Sequence, residues 1–535
     1  MTLFSTSSAA RPALAPTDSA EHAAAERRLG RLATAAIIAA LVIMVAAGLL
    51  RLGWMPPQLD MPASGPPWEI NASISPKIIS VTLWAAAVLA ALGIGAALAA
   101  ARRGKPLPIR TLLVAAAISV VALVVLPPVG STDVLDYAIF GHIAAIGRSP
   151  YVMTPLQYQQ LMHLHSGVPR DWNRDPSVYG PLATLEQLVA AKLSGSSLAR
   201  TAFWLKLWNA IAFAGVAVAA DRLFRDDRAA RLRAHLLWTV NPLVIWSAIA
   251  AAHLDIVAAA IGLAGLLILD RRLIARPVPA ALAAGICIGA AADIKAAFAL
   301  YGLGVAWCLR GKRTELLAAA AGGLAVLVPS YAWAGLPAIK ALGNRADTGL
   351  GDGFYGFIFP HLGISLGAVV PVAVCLLVPV AWLALRGLPA GLEDRPAIRA
   401  ALALSLAWLL VWPHQFAWYS LMAICVLAFY RSSRLDWLAL AWLSVMTIAN
   451  IPGVGLGENS RLGPIITRIQ SDNLNSIAPV VMLATLITMV VWCSTRRWNA
   501  AQDRAPVAAS VPPAVPAVPQ VLLTDTGSLR PTARS

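Results

Sequence analysis

The sequence predicts an all-α, polytopic membrane protein. Of its 535 residues, 59% are hydrophobic and only 13% are charged, whereas soluble domains carry roughly 25% charged residues. Apolar segments long enough to cross a bilayer recur along most of the chain. These Leu-, Ala- and Val-rich runs lack the two-residue alternation of outer-membrane strands, so we expect a bundle of helices rather than a barrel.

The apolar segments divide into about 13–14 predicted transmembrane helices, whose length is set by the thickness of the hydrocarbon core. The first of them is too long for a signal-peptide core and no small-residue cleavage site follows it, so we expect it to remain as an uncleaved span. The predicted spans lie near residues 32–50, 78–100, 111–128, 201–220, 235–251, 254–269, 278–292, 295–309, 315–334, 364–385, 399–413, 417–430, 435–450 and 477–495.

The distribution of charge indicates the orientation of the chain. The formal net charge is +16. With the amino terminus inside, most Lys and Arg residues fall in the inner loops, while the acidic residues divide evenly between the two sides. This is the positive-inside pattern, and it predicts a multi-pass protein of a bacterial plasma membrane. The same distribution argues against nucleic acid as a partner, because the basic clusters serve as topology signals that face the lipid bilayer.

The two ends of the chain differ from the rest in composition. Residues 1–30 are rich in Ala, Ser, Pro and Arg, and residues 499–535 are rich in Pro and Ala, so both are predicted to be disordered cytoplasmic tails. Residues 31–498 are predicted to form one transmembrane domain. The five cysteines lie in or beside apolar runs without CxxC spacing, which indicates neither a disulfide framework nor a thiolate metal site.

Ionisable residues near the ends of the predicted spans gather on the outer side. Such residues are costly to place near lipid, so a one-sided collection predicts an outward-facing functional site. By contrast, Trp204, Lys206 and Trp208 at the edge of one span are typical of an interfacial anchor. The residues of the outer collection are Asp133, Asp136, His253, Asp255, Asp293, Lys295, His361, His414 and Arg461.

The residue types in this collection favour one kind of chemistry. The sequence has no GxSxG nucleophile motif and no GxxxxGK[ST] phosphate loop. His253, Asp255 and His414 lack a recognisable metal-ligand spacing, so no metal is expected. Transfer of a sugar from a lipid phosphate needs a carboxylate that deprotonates the acceptor hydroxyl and a cation that holds the departing phosphate. An outer Asp, with Lys295 and an outer Arg such as Arg461, meets those needs.

Several ordered motifs support this interpretation. They are DVLDYAIFGHIAAIGRSPY, VYGPL, NPLVIWSAIAAAHLDIV, the hairpin that carries Lys295, and WPHQFAWYS. Together they resemble the actinobacterial polyprenyl-phosphomannose-dependent α-1,6-mannosyltransferases of lipomannan assembly, which are integral membrane enzymes of the GT-C fold. The resemblance covers roughly residues 110–430, and it implies a GT-C-like bundle.

The resemblance also implies roles for particular residues. Asp133 matches the family's membrane-proximal base, and Asp136 stands where the family often has a small polar residue, so the identity of the base stays open between these two. Lys295 matches a basic residue suited to phosphate. The residues that match substrate-binding positions are Tyr137, Tyr179, His253, Asp255, Trp418 and Tyr419, with His414 and Arg461 as further candidates. Two neighbours depart from the family pattern: Leu254 replaces an Asn, and Ala417 replaces a Pro.

The implied reaction is the inverting transfer of mannose from polyprenyl-phosphate-mannose to a glycolipid or polysaccharide acceptor, in α-1,6 linkage, on the extracytoplasmic face. It requires no cofactor. Two alternatives stay open at this point. One is a transferase for another lipid-phosphate sugar, such as arabinofuranose. The other is a non-enzymatic lipid flippase or transporter, which would place its charged site near the bilayer midplane between inverted repeats.

Overall fold

A computed structural model describes residues 16–51, 62, 64–72, 74, 76–163, 173–271, 273–344, 353–388, 395–451 and 477–494. Helix α1 begins at Pro16, so the described part of the segment predicted as an amino-terminal tail is helical. Its sequence is dominated by Ala, Glu and Arg, which are good helix formers. Arg461 and the predicted tail at 499–535 lie outside the described residues.

The described chain is almost entirely helical, which confirms the predicted all-α class. A single pair of two-residue parallel strands, Leu50–Arg51 and Ile70–Asn71, interrupts it. The α-helices are α1 (Pro16–Leu49), α2 (Pro76–Arg102), α3 (Ile109–Val125), α4 (Asp133–Ala145), α5 (Pro155–Met162), α6 (Pro181–Ser194), α7 (Leu198–Leu223), α8 (Arg228–Leu237), α9 (Pro242–Ile245), α10 (Asp255–Asp270), α11 (Pro277–Ile294), α12 (Ala299–Leu309), α13 (Arg313–Ala334), α14 (Leu336–Asn344), α15 (Gly353–His361), α16 (Val369–Gly387), α17 (Pro396–Val411), α18 (Ser420–Ala428), α19 (Leu435–Asn450) and α20 (Ala478–Ser494). One π-helix (Trp246–Ala250) follows α9, and 3-10 turns (Ala296–Phe298, Leu366–Ala368 and Ala417–Tyr419) precede α12, α16 and α18.

Several of these helices can cross a membrane, so the protein is a multi-pass membrane protein. In the described part of the chain, six helices are long and apolar enough to span, and a bent pair would make a seventh. Six further apolar helices have 10–17 residues. Each predicted span overlaps one of these apolar segments, although the span predicted at 235–251 begins in α8 and is interrupted by a turn before Pro242. The number that meet the length of a full crossing is smaller than the predicted 13–14, because many of the helices are too short at 1.5 Å per residue.

Small residues let neighbouring helices approach closely. On α11, a Cβ atom added at Gly285 would lie 2.0 Å from the carbonyl oxygen of Ala319 on α13. On the facing helix, a Cβ atom added at Gly322 of α13 would lie 2.2 Å from the carbonyl oxygen of Leu282 on α11. A side chain at either position would therefore force α11 and α13 apart.

One apolar segment, here called the broken span, is interrupted just before Asp255, between the predicted spans 235–251 and 254–269. The segment Pro242–Ala250 and helix α10 (Asp255–Asp270) meet at 112°. Asn241 caps the first segment by accepting a hydrogen bond from the Leu243 amide. Ala252, inside the break, has a φ of 59°, which is uncommon for a residue with a Cβ atom and is often associated with functional sites. The break places His253 against Asp133 and Tyr137 of α4 and places Asp255 against Lys295.

A buried ion cluster joins the helices at α2, α8 and α19. Arg233 donates hydrogen bonds to both carboxylate oxygens of Asp436, at 2.7 and 2.6 Å. Arg102 binds the same carboxylate at 3.2 Å. Arg233 also donates to the backbone carbonyls of Tyr430 and Leu427. These two arginines, which the sequence identifies only as topology signals, therefore also tie the helices together.

Candidate active site

The site begins with the segment Leu126–Thr132, here called the strap, which leads from α3 into α4. Two successive prolines, Pro127 and Pro128, end α3 because they lack the amide hydrogens that would continue it. Gly130 has a φ of 95°, and a Cβ atom there would lie 2.6 Å from the Trp246 indole. The Ser131 hydroxyl then accepts a hydrogen bond from the Asp133 amide at 3.2 Å. This conformation places Asp133 in the first turn of α4.

Asp133 faces the broken span. One of its carboxylate oxygens lies 3.7 Å from Nδ1 of His253, and its side chain is 20% exposed whereas that of His253 is fully buried. A carboxylate that is partly accessible and oriented by a buried imidazole can accept a proton from a ligand hydroxyl. The structure thus brings together the first predicted catalytic residue and a predicted substrate-binding residue.

Two tyrosines extend this cluster. The Tyr137 hydroxyl lies 3.5 Å from His253 Nδ1 and accepts a hydrogen bond from the Tyr179 hydroxyl at 3.3 Å. Their rings meet edge to face at 5.1 Å. Burial raises the pKa of both phenols well above the ordinary value, and the nearby Asp133 carboxylate adds to the effect. Both tyrosines therefore stay neutral and available as hydrogen-bond donors.

The packing of α6 explains the Gly and the Pro of the Tyr-Gly-Pro triplet at residues 179–181. A Cβ atom at Gly180 would lie 1.4 Å from the backbone oxygen of Asp293, so only glycine fits there. Pro181 starts α6, where its missing amide hydrogen costs nothing. The Asp293 carboxylate accepts a hydrogen bond from the Leu182 amide at 3.3 Å. The triplet thus docks α6 against the end of α11, just before Lys295.

Lys295 forms the second charged group of the site. Its ammonium nitrogen lies 2.6 Å from a carboxylate oxygen of Asp255, and the two side chains are 14% and 3% exposed. The same nitrogen lies 4.0 Å from the centre of the Tyr419 ring, a cation–π contact. The predicted cation is thus held beside the break in the span, with a buried carboxylate on one side and an aromatic face on the other.

A row of stacked rings supports His253. The His253 ring lies 3.7 Å from the Trp418 ring at an angle of 13°, and Trp418 in turn stacks on Phe416 at 4.5 Å and 8°. His414 meets Phe416 edge-on at 4.6 Å. Neighbouring rings therefore lie against both faces of Trp418. Its predicted role in substrate binding stays a prediction, and its contacts show that it holds His253 in place.

Two predicted site residues, Asp136 and Arg461, are not among the contacts described above. Asp136, three residues after Asp133 on α4, is 7% exposed and therefore buried. Arg461 lies outside the described residues. Among the residues that are described, no three His, Cys, Asp or Glu side chains are grouped so that they could hold a metal ion.

Two buried residues of α7 belong to the surroundings of the site and were not expected there. Lys206 is completely buried and donates hydrogen bonds to backbone carbonyls of the strap. The prediction that it anchors the span at the interface is therefore wrong, because no part of it reaches an interface. Asn209 donates to the backbone carbonyl of His253 at 3.1 Å. A Lys and an Asn within a predicted span were the available signal, since both are costly to bury in lipid.

Comparison with known sequences identifies the family. Residues 34–311, more than half of the chain, match the family described as alpha-(1->6)-mannopyranosyltransferase, N-terminal domain. A probable α-(1→6)-mannopyranosyltransferase of Mycolicibacterium smegmatis is 30% identical over 146 residues, which are 27% of this chain and 26% of that protein. An α-(1→6)-mannopyranosyltransferase of Mycobacterium tuberculosis is 29% identical over 132 residues, which are 24% and 22% of the two chains. The chain thus matches about a quarter of the length of these relatives.

Among solved structures, the crystal structure of ArnT from Cupriavidus metallidurans bound to undecaprenyl phosphate aligns with 72% of this chain and 76% of its own. The sequence identity is 14% and the TM-score is 0.39, a level of likeness that carries no conclusion about chemistry. The family match over residues 34–311 includes the strap, Asp133, the tyrosine pair, the broken span and Lys295. This protein belongs to the α-(1→6)-mannopyranosyltransferases, a family of glycosyltransferases.

Proposed function

We propose that this protein transfers a mannosyl residue from polyprenyl-phosphate-mannose to a glycan or glycolipid acceptor, in α-1,6 linkage and with inversion at the anomeric carbon. Membership of the mannosyltransferase family supports the sugar and the linkage. The observation that carries the chemistry is the pair of charged groups beside the broken span. Asp133 is a partly exposed carboxylate held by His253, and Lys295 is a partly buried cation held by the buried Asp255.

The proposed reaction is a single displacement. The Asp133 carboxylate takes the proton of the acceptor hydroxyl as that oxygen forms a bond to the anomeric carbon of mannose. The bond between that carbon and the phosphate oxygen breaks, and its electron pair leaves on the polyprenyl phosphate. Because phosphate is a good leaving group, no acid is needed to protonate it. The charge that develops on the phosphate is stabilised by the Lys295 ammonium.

The neighbouring side chains orient these two groups. His253 lies between Asp133 and Tyr137, and the stack with Trp418 prevents the imidazole from turning away. Tyr137 and Tyr179 keep their protons at neutral pH. The Tyr179 hydroxyl donates to that of Tyr137, and Tyr137 can in turn hold His253 or a substrate hydroxyl. Tyr419 covers one side of the Lys295 ammonium, which limits the directions from which a phosphate can approach it.

A transfer assay tests the function directly. The purified full-length protein in lipid nanodiscs is incubated with radiolabelled polyprenyl-phosphate-mannose and a short α-mannoside acceptor. We expect a product that is one mannose longer, with an α-1,6 linkage shown by NMR spectroscopy and no product from GDP-mannose. Transfer only from polyprenyl-phosphate-arabinofuranose would assign a different donor. No transfer, combined with movement of the lipid phosphate between leaflets, would favour a flippase.

We also propose that the site opens on the extracytoplasmic face of the plasma membrane. The asymmetry of Lys and Arg between the loops supports this orientation. Four exposed arginines report on this orientation. Arg148 follows α4 on the predicted outer side, and Arg103, Arg228 and Arg313 lie in predicted inner loops.

Single cysteines at these positions test the orientation. In intact cells, Arg148→Cys should react with a membrane-impermeant thiol reagent, whereas Arg103→Cys, Arg228→Cys and Arg313→Cys should react only after the cells are permeabilised. The wild-type protein, with its five native cysteines, provides the background. The opposite labelling pattern would place the site on the cytoplasmic face.

A further inference from the structure

Helix α7 contacts the two segments that position the proposed base, namely the strap and the broken span. On its buried face, Lys206 donates hydrogen bonds from its ammonium nitrogen to the carbonyl oxygen of Leu126 at 2.8 Å and to that of Pro127 at 3.3 Å. Three residues later, Asn209 donates from its amide nitrogen to the carbonyl oxygen of Ala248 at 2.9 Å and to that of His253 at 3.1 Å. Lys206 thus holds the start of the strap, and Asn209 holds the broken span.

A buried lysine at position 206 is explained by the backbone carbonyls that it binds. Its side chain is completely buried, and no ion pair to it occurs among the described residues. An unpaired ammonium is costly to remove from water, whereas an apolar side chain of the same length would fill the space at no such cost. The carbonyls that it binds lie where the two prolines end α3, so the neighbouring prolines contribute no amide hydrogens there. A long side chain with several hydrogen-bond donors fits that position.

The middle of the strap and the far end of α4 are also held by hydrogen bonds. The Val129 amide donates to the Ala250 carbonyl at 2.8 Å, so the strap is bonded to the broken span directly. On the other side of α4, Thr201 of α7 lies 2.9 Å from Nε2 of His142. The segment that carries Asp133 is therefore fixed against α7 and the broken span from both sides.

We propose that Lys206 and Asn209 are positioning residues that set the separation of Asp133 from His253; this inference rests on the proposed function of Asp133 as the base. Neither residue contacts the reacting groups. They act by holding the backbone of the strap and of the broken span on one rigid helix. A displacement of about 1 Å in a reacting group can reduce the rate roughly 10²-fold.

Kinetics of two variants test the proposal. Lys206→Met keeps the length of the side chain but removes its hydrogen bonds, and Asn209→Leu does the same at the broken span. For each, we expect turnover to fall roughly 10²-fold with little change in the KM for the donor, because the displaced base acts in the transition state rather than in ground-state binding.

Trp238→Phe is the matched control. It removes a buried hydrogen bond from the Trp238 indole to the Phe213 carbonyl, also on α7 but away from the site. Its activity should fall only with the amount of folded protein. If both positioning variants behave like Trp238→Phe, the proposal is wrong. If Lys206→Met does not fold, Asn209→Leu provides the same kinetic test.

A second measurement does not depend on catalysis. Cysteines introduced by Asp133→Cys and His253→Cys should be cross-linked by a short bifunctional thiol reagent to an extent that neither single cysteine supports. Adding Lys206→Met or Asn209→Leu should lower this cross-linking, and adding Trp238→Phe should not. Unchanged cross-linking would overturn the positioning role. If the wild-type protein does not transfer mannose but the cross-linking responds to the variants as expected, only the proposed function is contradicted.

Discussion

Replacing Asp133 with Asn should abolish measurable mannosyl transfer while the protein stays folded in the membrane. Asn has the same shape but cannot accept a proton from the acceptor hydroxyl. Loss of a general base typically costs about 10²–10⁴-fold in rate. Because the Asp133 side chain is 20% exposed, its neutralisation leaves no buried charge unpaired, so stability should change little. The measurements are turnover in the nanodisc assay and thermal unfolding of the purified protein.

Asp136→Asn is the matched comparison on the same helix. Asp136 is buried, so its contribution is that of a supporting residue of α4. Losing a hydrogen bond worth about 0.5–1.5 kcal/mol should reduce the rate by roughly tenfold or less. A reversed order of the two effects would make Asp136 the base. Normal rates in both variants would place the reaction away from α4.

The second large effect concerns the Lys295–Asp255 pair. Lys295→Met should reduce turnover by about 10²–10³-fold, the usual cost of removing one group that stabilises charge in the transition state. It also leaves the Asp255 carboxylate buried without its cation. Breaking a buried ion pair in this way costs about 3–5 kcal/mol, so the yield of folded protein should fall as well. The single variant therefore mixes a catalytic effect with a structural one.

A double variant separates the two effects. In Asp255→Asn/Lys295→Met neither side chain is charged, and the folded yield and thermal stability should recover most of what the single variant loses. Transfer should not recover, because no cation remains at this position for the departing phosphate. Measurement of stability and turnover for the two single variants and the double variant gives the comparison. A stable and fully active double variant would assign phosphate binding to another residue.

Much of the site could be predicted from the sequence. Asp133, Tyr137, Tyr179, His253, Asp255, Lys295 and Tyr419 were predicted individually, from their places at span ends and from the family motifs. The structure brings them into one cluster. Their distances from each other could not be predicted, because they come from helices that are far apart in the chain. The pairing of Lys295 with Asp255 is one such contact, and it changes the experiment needed to test Lys295.

Other contacts of the site could not be predicted from the sequence. Lys206 has the neighbours of an interfacial anchor, with Trp204 and Trp208 beside it, and its place inside a predicted span signals a costly position without showing which groups it binds. Trp418 matches a substrate-binding position of the family, which stays a prediction, and its stacking on His253 and Phe416 is a contact that the motif does not show. In both cases the role depends on what packs against the side chain, and sequence spacing does not report that.

Composition, hydropathy and motifs were enough to predict the all-α membrane class, the positions of the apolar helices and the family. These follow from local properties, since a helix in lipid must satisfy its own backbone hydrogen bonds and must be apolar along its length. The meeting of the strap, α7 and the broken span around Asp133, and the packing of Gly180 on the backbone of Asp293, are seen only in the folded protein. Those contacts arise from close packing between helices distant in sequence, where a single added Cβ atom or an unpaired buried charge determines which arrangement is stable.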